Sequence, residues 1–589
     1  MRVARSALAV LLAAPLVLLV PPAAVGAAEL LTTAACVALT GATVPAGEGE
    51  TAQVLAAVEV PDDGTAPLHC RLTVLVGSRV TMDLRAPYTG WEQRYAQVGG
   101  GGFCGTVPTA TGGFEPYLAR GTAVASDDTG HVSSPFNADW ALGNPRSQVD
   151  WAHLSEHLVR EASHALLAEL YGAAPATSYF LGCSTGGRQA LMSAQRYPDD
   201  FDGIVAGAPA NRQSYLAVLS QGYRERVNHD EAGLLVLRAP DAALAAAAVL
   251  ERCDGLDGLA DGVLGDPRQC PFDPVELLCR EGQTTDCLDA AKVDVLRRWY
   301  DDPRDSAGTS MYPGGIPRGS EGGLDLTNIG GDGPVYSFGG MFADQVLRYL
   351  AFEQDPPPTY SLEDFDFDTD RDLLRPQAEA LYNADDPDMS AFRDSGGKLL
   401  LWHGFADPLI TPLATIEYYE DGIAAMGGLD AVQEWYRMFL PPGVYHCSGG
   451  PGPDGLDWFA AIVDWVEGGT APASVLATGV GVTRPVFPYP LTARYSGGDP
   501  AQAGSFTAVA SPRGRTVAAA SAPSPTPAPT GTPPAPAAGV PQPAAGPASG
   551  APSRPVLAAT GGAAAPVLLA AALVGAGLLL LRRRRAPLT

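Results

Sequence analysis

Residues 177–188 constrain the fold of this chain most strongly, because they combine a strand, a tight turn and the start of a helix. Residues 179–181 are β-formers, and the segment after the turn predicts a helix over residues 189–196, which Pro198 ends. The turn reads Gly-Cys-Ser-Thr-Gly, so a glycine stands two residues before and two residues after Ser184. This is the G-x-S-x-G pattern in which a strained turn exposes a nucleophilic serine at a strand end. The alternative is a chance match in a chain with 68 glycines.

A second glycine-rich segment, residues 99–102, follows a predicted strand. Glycines at such a point allow the backbone to approach a ligand closely, so one of these amides is a candidate oxyanion donor. We expect the amides of Gly101 and Thr185 to form the oxyanion site. The alternative for the glycine segment is an ordinary loop.

Strands and helices alternate between about residues 120 and 207. Short apolar strands are predicted over residues 122–126 and 201–207, and helical periodicity runs over residues 149–170. This alternation predicts a doubly wound parallel sheet.

Residues 212–395 break the alternation and are rich in cysteine, glycine and proline, which predicts a lid domain inserted into the core. One of its loops has carboxylates separated by glycines, as in a chain that surrounds Ca²⁺ with oxygen ligands. The candidate ligands are the carboxylates of Asp254, Asp257 and Asp261 and the carbonyl groups of Leu259 and Val263. The alternative is an acidic turn fixed by a Cys253–Cys270 disulfide. Cys279 and Cys287 are close enough for another local bond.

The core resumes with an apolar strand over residues 397–402, and Asp407 follows it in a loop. His446 comes after the next predicted strand. The order Ser184, Asp407, His446 matches the Ser…Asp…His order of the α/β-hydrolase fold, so we predict that these residues form a catalytic triad. His403 is an alternative base, but it precedes the acid in the chain.

Two cysteines stand directly beside the proposed nucleophile and base, since Cys183 precedes Ser184 and Cys447 follows His446. We expect a Cys183–Cys447 disulfide that ties the two catalytic residues together. The alternative is that the two cysteines are unrelated.

Other polar residues are assigned structural roles. Asp128 and His131 precede the serine in the chain and are expected to stabilise their own loop. His153 and His157 have the i, i+4 spacing of metal ligands, but the H-E-x-x-H pattern is absent from the sequence, so we interpret them as helix-face residues.

The two ends of the chain indicate export. Residues 1–27 have two arginines, an apolar run and a small-residue zone, which is typical of a secretory signal peptide. The nine cysteines should then mostly form disulfides, with one left over. The formal net charge of −27 argues against nucleic acid as a partner.

Residues 516–556 consist almost entirely of Ala, Pro, Gly, Ser and Thr and are interpreted as a flexible stalk. Residues 557–589 contain Leu-Ala-Ala-Thr-Gly, an apolar segment and four arginines, and this tail resembles a Gram-positive cell-wall sorting signal. The resemblance implies that a sortase cleaves between Thr560 and Gly561 and joins Thr560 to peptidoglycan. The alternative is a permanent membrane anchor.

The body of the chain resembles the tannase and feruloyl esterase family over about residues 36–508. The matching segments include Gly182-Cys-Ser-Thr-Gly-Gly-Arg188, the 253–267 loop, residues 403–410 and His446-Cys447. The resemblance implies the triad, the Cys183–Cys447 disulfide, a Ca²⁺-binding lid and no organic cofactor. Of the three N-terminal cysteines, we expect Cys36 to pair with Cys70 and Cys104 to remain unpaired.

The expected protein is therefore a secreted, wall-attached serine esterase that acts on aromatic esters, either small molecules or acyl groups linked to polysaccharide. Its expected core comprises residues 28–211 and 396–515, on either side of the 212–395 lid. The alternatives are an inactive hydrolase scaffold that serves as a surface binding module and a hydrolase of another acyl bond, such as a peptide or thioester.

Overall fold

The computed structural model describes residues 31–107, 113–332 and 335–515. The predicted signal peptide (residues 1–27), stalk (516–556) and sorting signal (557–589, with Thr560 and Gly561) lie outside the described residues. Within the described ranges, no helix has both the length and the apolar character needed to cross a bilayer.

The described strands form one large sheet and two small ones. The large sheet contains β1 (Thr43–Pro45), β2 (Thr51–Val60), β3 (His69–Val76), β4 (Val80–Pro87), β5 (Arg94–Val98), β6 (Thr122–Asp127), β7 (Thr177–Cys183), β8 (Gly203–Gly207), β9 (Lys398–Trp402) and β10 (Tyr436–Phe439). One small sheet contains β11 (Gly455–Leu456), β12 (Val475–Gly479) and β13 (Val482–Val486). The other contains β14 (Leu491–Tyr495) and β15 (Phe506–Ala510).

The α-helices of the described residues vary from single turns to five turns. They are α1 (Thr33–Ala38), α2 (Glu115–Leu118), α3 (Pro145–Val149), α4 (Ser155–Tyr171), α5 (Thr185–Arg196), α6 (Gln213–Tyr215), α7 (Tyr223–Val227), α8 (Ala239–Cys253), α9 (Ala290–Tyr300), α10 (Leu324–Thr327), α11 (Phe338–Tyr349), α12 (Arg375–Gln377), α13 (Ser390–Asp394), α14 (Pro412–Ala425), α15 (Leu429–Gln433) and α16 (Trp458–Gly468). Segments of π-helix span Asp150–Leu154, Leu216–Gly222 and Ala378–Tyr382. Short 3₁₀ turns span Asp139–Ala141, Asp254–Asp257, Pro267–Gln269, Pro274–Leu277, Glu321–Gly323, Leu362–Asp364, Arg371–Leu374 and Ala503–Ser505.

The strand order of the large sheet is β1-β2-β3-β4-β6-β5-β7-β8-β9-β10. Strands β5 to β10 are parallel to one another, whereas β1 to β4 form an antiparallel extension that joins them through the antiparallel pair β4 and β6. Phe180 in β7 lies opposite Gln97 in β5 and Ile204 in β8. Because adjacent parallel strands end at the same edge, the loops after β7, β9 and β10 lie at one edge of the sheet.

Both faces of the parallel strands are buried, as their continuous apolar runs require. Along β7, Phe180 packs in the cluster that includes residues of α4, α5 and α14, whereas Tyr179 and Leu181 pack in the cluster that includes residues of α16. Alternate side chains of β7 therefore pack into the apolar clusters on opposite faces of the sheet. The helices on both faces hold the sheet edge in place.

The helix expected over residues 149–170 differs from a regular α-helix at its start. Residues 150–154 form a π-helical segment between α3 and α4. The fully buried guanidinium of Arg188 donates to the carbonyl groups of Trp151 (3.1 Å) and Ala152 (2.8 Å) and lies 4.3 Å from the centroid of the Trp151 ring. The irregular segment therefore provides acceptors that tie α5 to the neighbouring helix.

Residues 212–395 separate β8 from β9 and contain α6 to α13. Part of this segment has its own apolar cluster, which includes Leu237 and Trp299. Another part joins core residues such as Phe103 and Trp151 in a shared cluster with Leu216 and Val346. The segment thus packs against the edge of the sheet at which β5 and β7 end.

Candidate active site

The turn between β7 and α5 places Ser184 in a strained backbone conformation. Ser184 has φ 65° and ψ −122°, and its amide donates to the carbonyl group of Gly207 at 3.0 Å. A Cβ atom at Gly182 would lie 2.5 Å from the backbone of Gly186, and one at Gly186 would lie 2.9 Å from the carbonyl oxygen of Gly100. Both motif glycines are therefore required by close backbone contacts, and the serine remains partly exposed at the sheet edge.

Asp407 and His446 lie together in the loops that follow β9 and β10. His446 Nδ1 is 2.7 Å from Asp407 Oδ2, while the other carboxylate oxygen accepts hydrogen bonds from the amides of Leu409 (2.8 Å) and Ile410 (3.0 Å). Burial alone raises the pKa of Asp407, but the charge of His446 and the hydrogen bonds from His403 and His446 lower it well below its ordinary value. Asp407 is therefore an ionised acceptor that orients the His446 ring.

His403, the alternative base, lies deep in the core. It has no exposed surface, its Nε2 is 3.1 Å from Asp407 Oδ2 and 2.9 Å from the carbonyl oxygen of Ile410, and its Nδ1 is 2.8 Å from the Thr415 hydroxyl. Both ring nitrogens are thus used internally, whereas the His446 side chain is 17% exposed. His403 supports the carboxylate from behind, and His446 is the histidine that a substrate can reach.

The structure joins the turn at Ser184 to the loop at His446 through a Cys183–Cys447 disulfide, with the two Cα atoms 5.9 Å apart. No hydrogen bond links the Ser184 hydroxyl to the His446 ring. Catalytic hydrogen bonds of this kind are often loose in the absence of substrate. The disulfide is the covalent link between the segments that carry Ser184 and His446.

The described residues also form the three other expected disulfides, Cys36–Cys70, Cys253–Cys270 and Cys279–Cys287. Cys104 is the unpaired cysteine, and it is buried, so its pKa is raised to about 12. Such a thiol is uncharged and unreactive at neutral pH.

The glycine segment after β5 lies against the first turn of α5. The Thr185 hydroxyl donates to the carbonyl oxygen of Gly102 at 2.7 Å, and the amide of Gly100 donates to Gln189 Oε1 at 2.9 Å. The amides of Gly101 and Thr185 have no protein acceptor in the described part of the chain. These two N–H groups are therefore available to a ligand, as the sequence-based expectation for the oxyanion site requires.

A buried polar network that the sequence did not reveal supports this segment. Gln189 Nε2 donates to Glu156 Oε1 at 2.5 Å, and Gln97 Nε2 donates to Glu156 Oε2 at 2.8 Å. All three side chains are buried, and burial raises the pKa of Glu156 to about 7. Gln189 lies next to the recognised motif, but Glu156 has no neighbouring motif, because its role depends on contacts between distant segments.

The insert between β8 and β9 (residues 212–395) contacts the loop that contains Asp407. Arg224 Nη2 donates to the carbonyl oxygen of Leu409 at 2.8 Å, Gln221 Nε2 donates to the same oxygen at 3.3 Å, and Asn328 Nδ2 donates to that of Pro408 at 2.9 Å. The three donors are buried. The insert therefore fixes residues 408–409 directly after Asp407, a role that no sequence pattern indicated.

The acidic loop of the insert holds its carboxylates through internal bonds. Asp254 accepts a hydrogen bond from the amide of Gly262 at 2.9 Å, and Asp261 Oδ2 is 2.6 Å from Arg484 Nη2. Burial, with further contributions from the charges of Asp261 and Asp254, raises the pKa of Asp257 to about 6. Within the described ranges, no three His, Cys, Asp or Glu side chains are gathered as metal ligands. The oxygen donors and the excess of negative charge nevertheless fit a hard cation.

The remaining candidates have structural partners. Asp128 accepts hydrogen bonds from the amides of Thr81 (2.9 Å) and Gly130 (3.0 Å), and His131 stacks on Trp140 and contacts the carbonyl oxygen of Phe103. Further along the chain, the His153 ring contacts the Tyr197 hydroxyl and the His157 ring contacts Asp200.

The comparisons with known proteins agree with this geometry. The family model for tannase and feruloyl esterase matches residues 76–509. The mono(2-hydroxyethyl) terephthalate hydrolase of Piscinibacter sakaiensis is 32% identical over 526 residues, which cover 76% of this chain and 85% of that protein. A probable feruloyl esterase of Arthroderma benhamiae is 33% identical over 457 residues, which cover 71% of this chain and 80% of the relative.

Solved structures show the same fold. Feruloyl esterase B from Aspergillus oryzae superimposes with a TM-score of 0.69 at 25% identity, covering 78% of this chain and 97% of that structure. An esterase from Aspergillus oryzae has a TM-score of 0.71 at 25% identity, with 81% and 100% covered. The expected α/β-hydrolase fold is thereby confirmed, and the chain is a carboxylic ester hydrolase. It belongs to the tannase and feruloyl esterase family.

Replacing Asp407 by Asn tests the orientation of His446. The amide retains the shape of the side chain but removes the charge that holds His446 Nδ1–H, so kcat for an ester substrate should fall by about 10³- to 10⁴-fold. The matched control is Asp454→Asn. Asp454 is exposed and accepts a hydrogen bond from the amide of Gly449 in the loop that contains His446, so this variant should keep kcat within about twofold of the wild type. Equal losses in the two variants would contradict the assignment.

Replacing Glu156 by Gln tests the buried network through the pH dependence of stability. Because the pKa of Glu156 is about 7 in the folded state and about 4.3 when unfolded, its contribution is fully present below pH 4 and is lost as the pH rises through 7. The wild type should therefore lose about 1–3 kcal/mol of unfolding free energy relative to the variant between pH 4 and pH 7. Urea unfolding across this range measures the difference, and parallel curves would refute the account.

Proposed function

We propose that the ester hydrolysis proceeds through a Ser184–Asp407–His446 triad. The observation that supports this most directly is the 2.7 Å contact between His446 and a buried, ionised Asp407, in a loop that a disulfide ties to the turn of Ser184. The nucleophile, the acid and the base then follow β7, β9 and β10, which is the chain order of α/β-hydrolases.

In this mechanism, Ser184 Oγ attacks the ester carbonyl carbon while His446 Nε2 takes the hydroxyl proton. The amides of Gly101 and Thr185 stabilise the negative oxygen of the tetrahedral intermediate. When the carbon–oxygen bond to the alcohol breaks, His446 returns the proton to the leaving oxygen. A water molecule then attacks the acyl-serine by the same proton transfers, which releases the acid and restores Ser184.

We further propose aromatic acyl groups as substrates. Two relatives are named as enzymes that act on terephthalate and feruloyl esters. In this chain, the ring of Phe342 lies beside the glycine segment, since a Cβ atom built on Gly102 would be 3.4 Å from Phe342 Cζ. Phe338 packs edge-on against Phe342 with centroids 5.0 Å apart, and both rings are partly buried. Partly covered aromatic rings beside the oxyanion site favour a planar acyl group.

Replacing Ser184 by Ala should reduce the hydrolysis of p-nitrophenyl acetate by at least about 10³-fold, because the acyl-enzyme can no longer form. In the wild type, methyl ferulate, methyl gallate or mono(2-hydroxyethyl) terephthalate should be hydrolysed with a kcat/KM at least about tenfold that of methyl butyrate. Equal esterase rates for the wild type and Ser184→Ala would overturn the triad, and preference for the aliphatic ester would overturn the substrate class alone.

The 254–263 loop is proposed to bind Ca²⁺ through the carboxylates of Asp254, Asp257 and Asp261 and the carbonyl groups of Leu259 and Val263. The ion would neutralise the clustered carboxylates, whose charges add to the effect of burial on the pKa of Asp257, and would stabilise the loop beside the Cys253–Cys270 disulfide. Its role is structural.

Chelation tests the calcium site. Removing Ca²⁺ should lower the melting temperature by a few degrees, and added Ca²⁺ should restore it, because an ion that binds only the folded state stabilises it. Asp257→Asn should abolish the response, whereas Asp286→Asn, at an exposed position of another loop in the insert, should retain it. A chelator that leaves the melting temperature of the wild type unchanged argues against the site.

We also propose that the enzyme is secreted and covalently attached to the cell wall by a sortase that cleaves between Thr560 and Gly561. The support is the sequence of the two ends, with a signal-like N-terminus and a Leu-Ala-Ala-Thr-Gly motif after a stalk rich in Ala and Pro. Wall attachment would hold the active site outside the cell, near peptidoglycan and external esters.

Thr560→Ala should move the protein from the wall fraction into the membrane or the medium. Thr530→Ala, which alters a Thr-Gly pair of the stalk outside the motif, should leave the distribution unchanged. Fractionation followed by immunoblotting measures both, and unchanged wall linkage in Thr560→Ala would refute the proposal.

A further inference from the structure

A cavity of about 480 Å³ lies on the α16 face of the sheet, behind the disulfide that joins the catalytic loops. Its wall includes both cysteines of that bond, Cys183 and Cys447, as well as Gly182. Neither Ser184 nor His446 lines it. The cavity is therefore separate from the catalytic groups, although it contacts the covalent link between them.

The walls of the cavity are mainly aromatic. Trp402 and Trp458 are stacked with ring centroids 5.4 Å apart and planes 12° from parallel, and Tyr117 packs edge-on against Phe459 at 4.9 Å. The indole N–H groups of both tryptophans and the Tyr117 hydroxyl have no hydrogen-bond partner in the described part of the protein. The tryptophans are more than nine-tenths buried and both line the cavity, so an occupant can accept from donors that the protein leaves unpaired.

At the rim of the cavity, Arg120 and the N-terminus of α16 favour a negatively charged partner. Arg120 donates to both carboxylate oxygens of Asp457, at 2.9 and 2.5 Å, and Asp457 also accepts a hydrogen bond from the amide of Ala460 in the first turn of α16. The amides of Trp458 and Phe459 in the same turn have no protein acceptor in the described ranges. Asp457 thus occupies a position that a guanidinium and a helix N-terminus make favourable for a carboxylate, and two amides remain free beside it.

We propose that this cavity is a second ligand site, for a small aromatic carboxylate. The ring of the ligand lies against Trp402 and Trp458, and its carboxylate lies at the rim, where it shares Arg120 with Asp457 and accepts from the free amides of α16. A volume of about 480 Å³ accommodates a molecule the size of a benzoate or cinnamate.

The site has a functional consequence that rests on the proposed function. Hydrolysis of an aromatic ester releases an aromatic carboxylate, which is the class of ligand proposed for this cavity. Because the ligand contacts the Cys183–Cys447 disulfide and not the nucleophile, it leaves the acyl pocket free for substrate. We therefore expect inhibition by product to have a noncompetitive component.

Two substitutions with opposite effects test the site by calorimetric titration of the full chain with benzoate. Arg120→Gln removes the cation and should weaken binding about tenfold. Asp457→Asn should tighten it about tenfold, because asparagine retains the helix cap but removes the competing negative charge and frees Arg120. Binding at the catalytic groups is changed by neither substitution, so the opposite shifts are specific to this cavity.

The matched control is Arg297→Gln, which breaks a bidentate pair with Asp273 of similar exposure elsewhere on the surface. It should leave the affinity for benzoate unchanged, and benzamide should bind the wild type and Asp457→Asn equally. Equal benzoate affinities in the wild type, Arg120→Gln and Asp457→Asn would overturn the proposal, as would the absence of binding at millimolar benzoate in both the wild type and Asp457→Asn. Since binding is measured without turnover, this result is independent of the Ser184→Ala test of the proposed function.

Discussion

The Cys183–Cys447 disulfide is the interaction on which the geometry of the catalytic edge depends. Strands β7 and β10 are separated by β8 and β9, and three strand spacings amount to about 14 Å. The Cα atoms of the two cysteines are nevertheless 5.9 Å apart, so the loop after β10 crosses the ends of β8 and β9 to reach Cys183 at the end of β7. The sheet sets which residues meet at this edge, and the covalent bond sets how closely they approach.

The same bond also closes the longest loop in the described disulfide set, with its cysteines 264 residues apart. In the chain-entropy model, closing a loop of this length stabilises the folded state by about 5.6 kcal/mol. The bond thus ties the segment before the insert to the segment after it, and the insert lies wholly within the closed loop. Stability and catalytic geometry therefore depend on one cross-link.

Buried polar contacts complete the arrangement from three sides. Gln189 and Glu156 hold the glycine segment, His403 supports Asp407 from the core, and Arg224 holds the carbonyl group of Leu409 in the loop after Asp407. These groups are buried and hydrogen-bonded, so removing one partner leaves another unsatisfied, which is more costly than losing a surface contact. The proposed catalytic residues are held by the core and by the insert together.

The sequence predicted the parts of the site that local rules govern. The strand, the turn at Ser184 and the glycine segment follow from residue types at short spacing. The acid and the base were predicted because the order Ser184, Asp407, His446 matches that of a known fold, and the cysteines beside Ser184 and His446 indicated the disulfide. The antiparallel extension of the sheet, the π-helical segment at residues 150–154 and the roles of Glu156 and Arg224 were not predictable in this way. They depend on which distant segments pack together, and a buried Glu or Arg looks like any other charged residue until its neighbours are known.

The most direct test of the central claim is to remove the Cys183–Cys447 bond and measure kcat for methyl ferulate together with the urea midpoint of unfolding. The double variant Cys183→Ser, Cys447→Ser should lose at least about tenfold in kcat under conditions where its circular dichroism spectrum is still native, because a small displacement of His446 from Ser184 is enough to slow proton transfer. The variant Cys279→Ser, Cys287→Ser, which removes a local disulfide of the insert, should keep the wild-type kcat. If the first variant kept the wild-type kcat and lost only stability, the disulfide would be a stabilising cross-link and not the element that positions the catalytic residues.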